Sequence, residues 1–220
     1  MKSIAIDGPA GAGKSTIAKR VAEELGFIYV DTGAMYRAMA LYFLRQGISG
    51  EDEEKVSQAC GDIQVSLTYE EGEQQVLLNG ENVNGYIRTE EVSMMTSDTS
   101  KYPKVREKLL DLQRDLAKNQ NVIMDGRDIG TCVLPGADLK VYLTASSAER
   151  ARRRYKEQME RGISCDLQQI EEDIIARDEQ DMNREIAPLK KAEDAVLLDA
   201  SDMTIEEVVA KMISLFRSVG

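Results

Sequence analysis

The segment that most constrains the fold lies near the amino terminus, where residues 8–15 read GPAGAGKS and fit the pattern G-x-x-x-x-G-K-[ST]. A short apolar run at residues 2–7 precedes this loop, and apolar residues recur at helical spacing from Lys14 to Leu25. A strand–loop–helix unit of this kind directs backbone N–H groups and the positive end of a helix dipole toward a phosphate. The loop therefore predicts an α/β domain that holds the phosphates of a nucleotide.

Each residue of the loop has a physical role in such a site. The Lys14 ammonium supplies a point charge for the β- and γ-phosphates, and the Ser15 hydroxyl can ligate Mg²⁺. A dinucleotide-binding pattern starting at Gly11 would need Gly or Ala where this chain has Thr16, so we reject that alternative. The predicted nucleotide-binding residues are Gly8, Pro9, Ala10, Gly11, Ala12, Gly13, Lys14, Ser15 and Thr16.

The rest of the chain alternates short apolar runs with helical patterns, which indicates a parallel sheet covered on both faces. We predict a three-layer α/β/α fold with a five-stranded parallel sheet. The predicted strands are residues 2–7, 27–30, 121–128, 138–146 and 195–201. The predicted helices are residues 14–25, 34–44, 51–59, 89–118, 147–161 and 166–184, followed by a final amphipathic helix from about residue 205.

Residues 62–87 have a different sequence pattern, with near-alternating apolar residues and Gly-containing turns at 70–72 and 79–80. We expect an inserted antiparallel β-meander, and a ragged edge of the main sheet is the alternative. The predicted domain division is a core of residues 1–61 and 88–220, an inserted β-rich subdomain at 62–87, and a helical lid at about 150–165.

Charge and composition exclude several classes of function. The net charge is −11, and the chain contains no histidine, which argues against a nucleic-acid platform and removes histidine as a base or metal ligand. No stretch approaches the about 18 apolar residues of a membrane span. The cysteines at 60, 132 and 165 show neither metal-ligand nor disulfide spacing. We expect a cytoplasmic protein with no nucleic-acid or membrane partner, whose cations are concentrated locally around an anionic ligand.

Two segments that follow predicted strands carry candidate acceptor-site residues. DTGAMYR at 31–37 supplies Thr32, Tyr36 and Arg37 at the carboxyl edge of the sheet, although a capping Thr before a helix is an ordinary alternative. DGRDIGT at 125–131 follows the third core strand and supplies Arg127 and Asp128. Its first residue, Asp125, lies where a carboxylate would approach Mg²⁺.

Two charged helical segments complete the candidate set. ARDEQDMNR at 176–184 has spacings that place Arg177, Asp181 and Arg184 on one helix face, and the alternative is a solvated face of ion pairs. ERARRR at 149–154, which includes Arg154, concentrates positive charge in an acidic protein. That run suits a lid closing over a triphosphate, and a plain basic helix is its alternative.

Together these motifs resemble those of the bacterial cytidylate kinases, which phosphorylate CMP and dCMP, and the likeness covers essentially the whole chain. The loop is generic among nucleotide-binding proteins, whereas the order and spacing of the remaining motifs are specific. The motifs that carry the resemblance are IDGPAGAGKST, DTGAMYR, IRTEEV at 87–92, YPKVREKLL at 102–110, DGRDIGT, ARDEQDMNR and the APL that follows.

The resemblance implies a role for each matching position. ATP would be the phosphoryl donor, with Mg²⁺, and Arg154 would join the loop in binding it. Lys14, Arg127 and Arg184 would be the catalytic residues. Thr32, Asp181 and Arg177 would hold the sugar; Arg37, Arg127 and Arg184 the phosphates; and Ser97, Arg106 and Asp128 the base, with Tyr36 also lining the acceptor site. Position 32 is Thr where some members have Ser, which bears only on sugar preference.

The residues also support this activity independently. A carboxylate at Asp128 and a guanidinium at Arg106 complement the N4 amino group and the N3 and O2 acceptors of cytosine, whereas uracil has a carbonyl at position 4. The attacking phosphate is already an anion, so in-line transfer needs no general base. The chain would act as a monomer in pyrimidine metabolism. A kinase of another small acceptor, such as AMP or shikimate, and a nucleotide-driven switch remain as alternatives.

Overall fold

The computed structural model describes residues 1–160 and 162–219, and within them the strands form two separate sheets. The strands are β1 (Ser3–Asp7), β2 (Ile28–Asp31), β3 (Val65–Glu70), β4 (Glu73–Leu78), β5 (Glu81–Asn82), β6 (Val122–Gly126), β7 (Leu139–Thr144) and β8 (Val196–Asp199). The helices are α1 (Lys14–Leu25), α2 (Thr32–Arg45), α3 (Glu53–Ala59), α4 (Glu90–Thr99), α5 (Pro103–Asn119), α6 (Ser147–Glu160), α7 (Leu167–Met182) and α8 (Ile205–Val219).

The main sheet is parallel and has the strand order β2-β6-β1-β7-β8, which confirms the predicted five-stranded α/β/α fold. The central strand β1 is buried on both faces, as the apolar run at residues 4–6 requires. Strands β2 and β6 lie on one side of β1, and β7 and β8 lie on the other, so a crevice opens at the carboxyl ends of the strands where the order reverses. Asp31 and Asp125 lie side by side in register at that edge, and Asp7 pairs with Gly126.

Two hydrophobic layers cover the sheet. One joins the sheet to α2, α4, α5 and the second sheet, with Met35, Phe43 and Leu109 fully buried. The other joins it to α1 and α8, where Phe27 and Phe216 make an edge-to-face contact with ring centroids 5.4 Å apart. The site edge is therefore held by a continuous core on each face.

The second sheet has the order β3-β4-β5 and is antiparallel, which confirms the predicted meander and excludes the alternative of a ragged edge of the main sheet. Its hairpin is fastened to edge strand β2. Gln74 accepts a hydrogen bond from the Asp31 backbone N–H at 2.9 Å and donates one to the Asp31 carbonyl at 3.2 Å. Tyr69 donates to the Tyr29 carbonyl at 3.1 Å. These contacts cover an edge that would otherwise present unpaired backbone groups. The division into core, inserted subdomain and lid remains a prediction.

Two predicted helices differ from the structure. The pattern at 89–118 forms two helices, because the chain leaves α4 at Ser100 and restarts with Pro103 in the first turn of α5. The pattern at 166–184 ends earlier than predicted, at Met182, and Asn183 closes it. Ala187 has a positive φ of 49°, and the Leu189 N–H returns to the Asp181 carbonyl at 2.8 Å. The chain therefore turns back over the end of α7 before it reaches β8.

Candidate active site

The glycine-rich loop connects β1 to α1 and leaves the first turn of the helix open to a ligand. Gly13 is the N-cap, in a left-handed conformation, and offers no side-chain cap to the N–H groups of the first turn. Gly8 has a φ of 152°, and a Cβ there would lie 1.9 Å from the Leu143 carbonyl oxygen, so no other residue fits. The loop thus has the exposed donors and positive dipole that bind phosphate.

Lys14 is buried at the base of this loop. Its Nζ donates to the Pro9 carbonyl at 2.8 Å, so the side chain lies back along the loop. Burial, and then the positive charge of Arg127, lower the pKa of Lys14 to about 7. An anion bound in the loop would reverse this effect, because it stabilises the charged ammonium.

Ser15 and Asp125 come together where the loop meets the end of β6. The Ser15 hydroxyl donates to Asp125 Oδ2 at 2.9 Å, and the Tyr29 hydroxyl donates to Oδ1 at 3.0 Å. Burial raises the pKa of Asp125 to about 6, and the neighbouring Asp31 carboxylate adds to the rise. A buried carboxylate with a raised pKa beside a hydroxyl is suited to a divalent cation, which would stabilise its ionised form.

The chemistry of these donors fits Mg²⁺ in particular. Within residues 1–160 and 162–219, no group of three or more His, Cys, Asp or Glu side chains is arranged to hold a metal ion. Mg²⁺ does not need such a group, because it commonly takes one or two protein oxygens and completes its shell with water and substrate phosphate. The hydroxyl and carboxylate oxygens of Ser15 and Asp125 meet that requirement.

Asp7 is a site-forming residue that the sequence analysis missed. Its carboxylate accepts the N–H groups of Ile129 and Gly130, each at 2.7 Å, and so caps a single π-helical turn, Ile129–Val133. Burial raises its pKa to about 6 even though these two hydrogen bonds oppose the rise. Asp7 therefore ties the strand before the loop to the segment that carries Arg127 and Asp128. Its place directly before Gly8 is the signal that could have identified it.

A second pocket opens beside the loop at the carboxyl edge of the sheet. All ten predicted acceptor-site residues line it, although they come from α2, α4, α5, the segment after β6, and α7 with the residues that follow it. Gly33, Thr96, Ser100 and Gly126 line it as well and were not predicted. The predicted residues are Thr32, Tyr36, Arg37, Ser97, Arg106, Arg127, Asp128, Arg177, Asp181 and Arg184.

One end of this pocket carries a buried pair of opposite charges. Arg106 Nη2 donates to Asp128 Oδ2, and Arg106 Nη1 donates to the Ser100 carbonyl at 3.1 Å. The Arg106 guanidinium lies over the Tyr36 ring, 5.6 Å from its centroid. Ser97 is buried in the same wall. This end therefore presents donors and acceptors side by side next to an aromatic face.

The other end is a cluster of arginines around Asp181. Arg127 Nε donates to Asp181 Oδ2 at 2.8 Å, and Arg184 Nη2 donates to Oδ1. Burial alone would raise the pKa of Asp181, but Arg127 and Arg184 hold it below its usual value. Burial and the charge of Arg127 lower the pKa of Arg177 to about 10. The cluster thus holds more positive charge than Asp181 balances, and an added anion would stabilise it.

Several guanidinium donors in this cluster have no partner. Among the described residues, the Nε atoms of Arg37, Arg177 and Arg184 are buried without any hydrogen bond. Leaving a buried donor unsatisfied costs about 1–3 kcal/mol, and more when the group is charged. All three residues line the pocket, so an anion with several oxygens would satisfy them together.

Asp31, and not Thr32, is the N-cap of α2. The cap of α2 is Asp31, whose carboxylate accepts the Ala34 N–H at 2.8 Å, so the alternative that Thr32 merely caps the helix is wrong. Thr32 donates its hydroxyl to the Asp125 carbonyl at 2.7 Å and lines the pocket. Asp31 also binds Arg37 at 2.9 Å and Arg88 at 3.3 Å, which the sequence analysis did not anticipate.

Arg184 lines the pocket from the turn after α7 and not, as predicted, from the helix itself. It lies beyond the end of α7 at Met182, so it does not share a helix face with Arg177 and Asp181. The turn after the helix nevertheless brings its side chain onto Asp181. The structure therefore brings the three residues together in the pocket, but not on one helix face as predicted.

The arginines of α6 do not form one basic surface. Arg150 is buried, and Arg152 and Arg153 both bind Glu149, at 2.9 and 3.0 Å. Arg154 is half-buried and close enough to Arg177 for its charge to help lower the pKa of that residue. One residue of the predicted lid, position 161, lies outside the described residues.

A further groove lies on the far side of the loop, between α1, α6 and the β8–α8 connection. Met203, Thr204 and Arg153 line it together with Gly13 and Thr16, which are predicted loop residues. It is continuous with the phosphate-binding loop and has an apolar floor that includes Ile17 and Val208. Nothing in the sequence of the β8–α8 connection marked these residues.

Comparison with known proteins agrees with this architecture. The sequence model of the family described as cytidylate kinase matches residues 4–218. A cytidylate kinase from Caldicellulosiruptor saccharolyticus is 52% identical over 217 residues, covering 99% of this chain and 96% of that protein. One from Exiguobacterium sp. is 50% identical over 216 residues, covering 98% and 96%. The structure of a gluconokinase from Sinorhizobium meliloti has a TM-score of 0.52 at 14% identity, covering 99% and 93%, and shows the fold alone.

Proposed function

Because the chain belongs to the cytidylate kinase family, we propose that it transfers the γ-phosphoryl group of ATP to CMP or dCMP, giving CDP or dCDP and ADP. The observation that carries this proposal concerns the pocket beside the loop, where the buried Nε donors of Arg37, Arg177 and Arg184 have no hydrogen-bond partner in the described part of the chain. An acceptor that bears a phosphate would satisfy these donors, whereas an uncharged acceptor would leave them unpaired.

The base of the acceptor would lie against Arg106, Asp128 and Ser97. Cytosine offers an amino group to the Asp128 carboxylate and acceptors to the Arg106 guanidinium. Uracil would turn a carbonyl toward the carboxylate and leave buried acceptors facing one another, at a cost of roughly 1–3 kcal/mol. The Tyr36 ring, with Arg106 over its face, would support the base from the side.

The sugar would lie between Thr32, Asp181 and Arg177. Thr32 has given its hydroxyl hydrogen to the Asp125 carbonyl, so it offers the sugar only acceptor lone pairs. Both Asp181 oxygens accept one arginine each and keep lone pairs for a sugar hydroxyl. Sugar hydroxyl groups would donate to these oxygens and accept from Arg177. Because Thr32 and both Asp181 oxygens already make one hydrogen bond each, the loss of one sugar hydroxyl would leave none of them without a partner, which supports the use of dCMP.

The donor ATP would bind with its triphosphate in the loop formed by residues 8–16. Its base would lie in the adjoining groove at Met203 and Thr204, and Arg154 would approach its phosphates as α6 closes. Ser15 and Asp125 would hold Mg²⁺, which when bound neutralises part of the charge on the phosphates.

The chemistry is an in-line displacement. A CMP phosphate oxygen forms a bond to the γ-phosphorus, the bond from that phosphorus to the β,γ-bridging oxygen breaks, and the electron pair leaves on ADP. The nucleophile is an anion, so no general base takes part. Lys14, Arg127 and Arg184 would hold the phosphoryl oxygens and balance their charge, while helix closure keeps water from the γ-phosphate.

The direct test is a coupled assay with ATP and Mg²⁺ across CMP, dCMP, UMP, AMP and shikimate. We expect the highest kcat/KM for CMP and dCMP and a value for UMP at least tenfold lower. A preference for AMP or shikimate would assign the site to another acceptor. ATP hydrolysis that no acceptor stimulates would indicate a nucleotide-driven switch and refute the proposal.

We also propose that the active unit is a monomer in the cytoplasm. Both pockets are built from a single chain, and an ATP-dependent kinase requires a compartment that supplies ATP and Mg²⁺. No helix in the described part of the chain has the length and apolarity to cross a membrane. Sedimentation at working concentration tests the first part, and fractionation of cells tests the second.

A further inference from the structure

The Arg150 side chain joins three parts of the molecule that are distant in sequence. It is only 5% exposed, and each nitrogen of its guanidinium donates a hydrogen bond to a different partner. Nε donates to the Ala145 carbonyl at 2.9 Å, Nη1 to the Ala10 carbonyl at 2.9 Å, and Nη2 to Asp178 Oδ2 at 2.5 Å.

The three partners of Arg150 lie in three different structural elements. Ala10 belongs to the phosphate-binding loop, and Ala145 follows β7 directly. Asp178 lies in α7, next to Arg177 and three residues before Asp181. One rigid side chain therefore connects the loop that holds the donor to the helix that positions the acceptor.

The Arg150–Asp178 contact is closely packed and almost fully buried. A Cβ at Gly11 would lie 3.5 Å from the Arg150 Cβ, so the loop packs directly on α6. Asp178 is 8% exposed, and its Oδ1 has no hydrogen bond within the described residues. Arg150 is thus the hydrogen-bonding partner on which this buried carboxylate depends. A planar guanidinium is required, because a lysine ammonium cannot reach three separated acceptors with fixed geometry.

In the part of the chain that the structure describes, Arg152, on the same helix, makes no comparable contacts between distant segments. Arg152 is exposed and binds Glu149 one turn earlier on the same helix. That pair links neither the loop nor α7. Arg152 therefore provides a matched control on the same helix, with the same charge and no connection between the two sites.

We propose that Arg150 and Asp178 are positioning residues that couple the donor loop to the acceptor helix, so that binding of the donor strengthens binding of the acceptor. The inference rests on the proposed function of the two pockets. When a triphosphate orders the loop, the Ala10 carbonyl fixes the guanidinium, the guanidinium fixes Asp178, and Arg177 and Asp181 are held where the acceptor needs them. Neither residue of the pair touches a substrate.

The test measures this coupling separately from stability. Breaking one partner leaves a buried unpaired charge and can unfold the protein, whereas replacing both by apolar residues of similar volume is often neutral. The variant is therefore Arg150→Met combined with Asp178→Leu, with Arg152→Met as the control. CMP affinity is measured by calorimetry without nucleotide and with Mg²⁺ and the non-hydrolysable analogue AMP-PNP, alongside the unfolding temperature and kcat.

In the wild type and in Arg152→Met, we expect the analogue to tighten CMP binding at least about fivefold, within the usual range of coupling between sites. In the double variant, we expect the unfolding temperature and the affinity for CMP alone to stay near wild type. The enhancement should fall to near one and kcat should fall about tenfold, as expected when reacting groups are misplaced. A folded double variant that keeps wild-type coupling would overturn the inference, and so would a wild type without coupling.

Arg150→Lys provides a second route if the double variant does not fold. It keeps a positive charge beside Asp178 but cannot also bind both carbonyls, so coupling should be lost while most of the stability remains. Retained coupling in this variant would contradict the inference. Failure of the proposed function looks different, because the wild type would then bind another acceptor in place of CMP. The coupling measurement would be made with that acceptor and would still test the pair.

Discussion

The glycine-rich loop and the pocket beside it, which we propose as the donor and acceptor sites, present different kinds of group to a phosphate. The loop uses the backbone: a tight turn that begins with Gly8, the uncapped first turn of α1, and one lysine, all within nine consecutive residues. The pocket uses side chains from five parts of the chain, and within residues 1–160 and 162–219 three of its buried guanidinium donors have no hydrogen-bond partner. A backbone site fits any polyphosphate, whereas a side-chain site can select one molecule.

This difference explains why the loop indicates only that a nucleotide binds, whereas the pocket indicates which acceptor is used. A contiguous loop can be found from its sequence pattern but is compatible with many reactions. The pocket depends on tertiary structure. We propose that its Arg106–Asp128 pair binds a base at one end and that its arginine cluster binds a phosphate at the other. Substitutions in the loop should therefore reduce turnover for every acceptor, and substitutions in the pocket should change which acceptor is used.

The largest expected effect is that of Lys14→Ala. The ammonium lies at the base of the loop and is the loop's only side-chain cation, so its removal should reduce kcat at least about a hundredfold, within the range seen when a preorganised charge is lost. CMP affinity measured without ATP should stay within about twofold. Lys19→Ala on the same helix, whose exposed side chain binds Glu73, is the control. Near-normal turnover in Lys14→Ala would refute the role of the loop.

Arg184→Ala should affect the acceptor side and leave the donor side intact. Loss of a charge-assisted hydrogen bond to the acceptor phosphate should raise KM for CMP by roughly 10- to 100-fold, with KM for ATP little changed. The kcat should fall as well, because we propose that Arg184 also holds the transferred phosphoryl oxygens. Steady-state kinetics with each substrate varied in turn separates the two effects. Arg152→Ala should change neither constant. An equal rise in both KM values would mean that the two sites do not divide the substrates as we propose.

Asp128→Ala should relax the choice of base. Without the carboxylate, the preference for CMP over UMP should fall about tenfold in the ratio of kcat/KM, which corresponds to one lost buried polar contact. Asp128→Asn keeps an acceptor oxygen beside Arg106 and should retain part of the preference. The competing-substrate assay reports the ratio directly. If the ratio of kcat/KM for CMP to that for UMP were unchanged in Asp128→Ala, another group would be responsible for base selectivity.

Asp125→Asn should change stability without ligands, by an amount that depends on pH. The folded-state pKa of Asp125 is raised to about 6, so its contribution to stability is fully present below about pH 4 and is lost as the pH rises through 6. The amide variant does not ionise there. Its free energy of unfolding without ligands should exceed that of the wild type by on the order of 1–3 kcal/mol at pH 8 and match it near pH 4.

Urea unfolding at a series of pH values measures that difference. Activity should fall in the same variant, because the amide is a poor partner for Mg²⁺. If the variant were less stable than the wild type at pH 8, this would contradict our inference that the ionised Asp125 carboxylate destabilises the protein when no cation is bound.

The glycine-rich loop could be predicted from sequence because local chemistry determines it, whereas the adjoining groove at Met203 and Thr204 could not. The bounds of α1 at Lys14 and Leu25 were predicted correctly, since Gly13 and Gly26 adopt left-handed conformations at its two ends. The antiparallel insertion was also predictable, because Asn79 and Gly80 both adopt positive φ in a tight hairpin turn.

The missed features depend on contacts between distant segments. Asp7 caps a turn that lies more than 120 residues away, and a π-helical turn has no sequence signature as clear as that of an α-helix. Arg150 looked like one of a run of basic surface residues, and only the packing of α6 on the loop shows that it is buried. Arg184 was assigned to a helix that ends two residues earlier, because periodicity cannot show where a chain turns back.

The most direct test of the central claim is calorimetric titration of the unliganded protein with CMP, cytidine and AMP. The claim is that unpartnered guanidinium donors bind the acceptor's phosphate while the Arg106–Asp128 end reads its base. We predict that CMP binds at least about tenfold more tightly than cytidine and AMP, and equally well to Lys14→Ala. Cytidine binding as tightly as CMP, or AMP binding as tightly as CMP, would contradict the account.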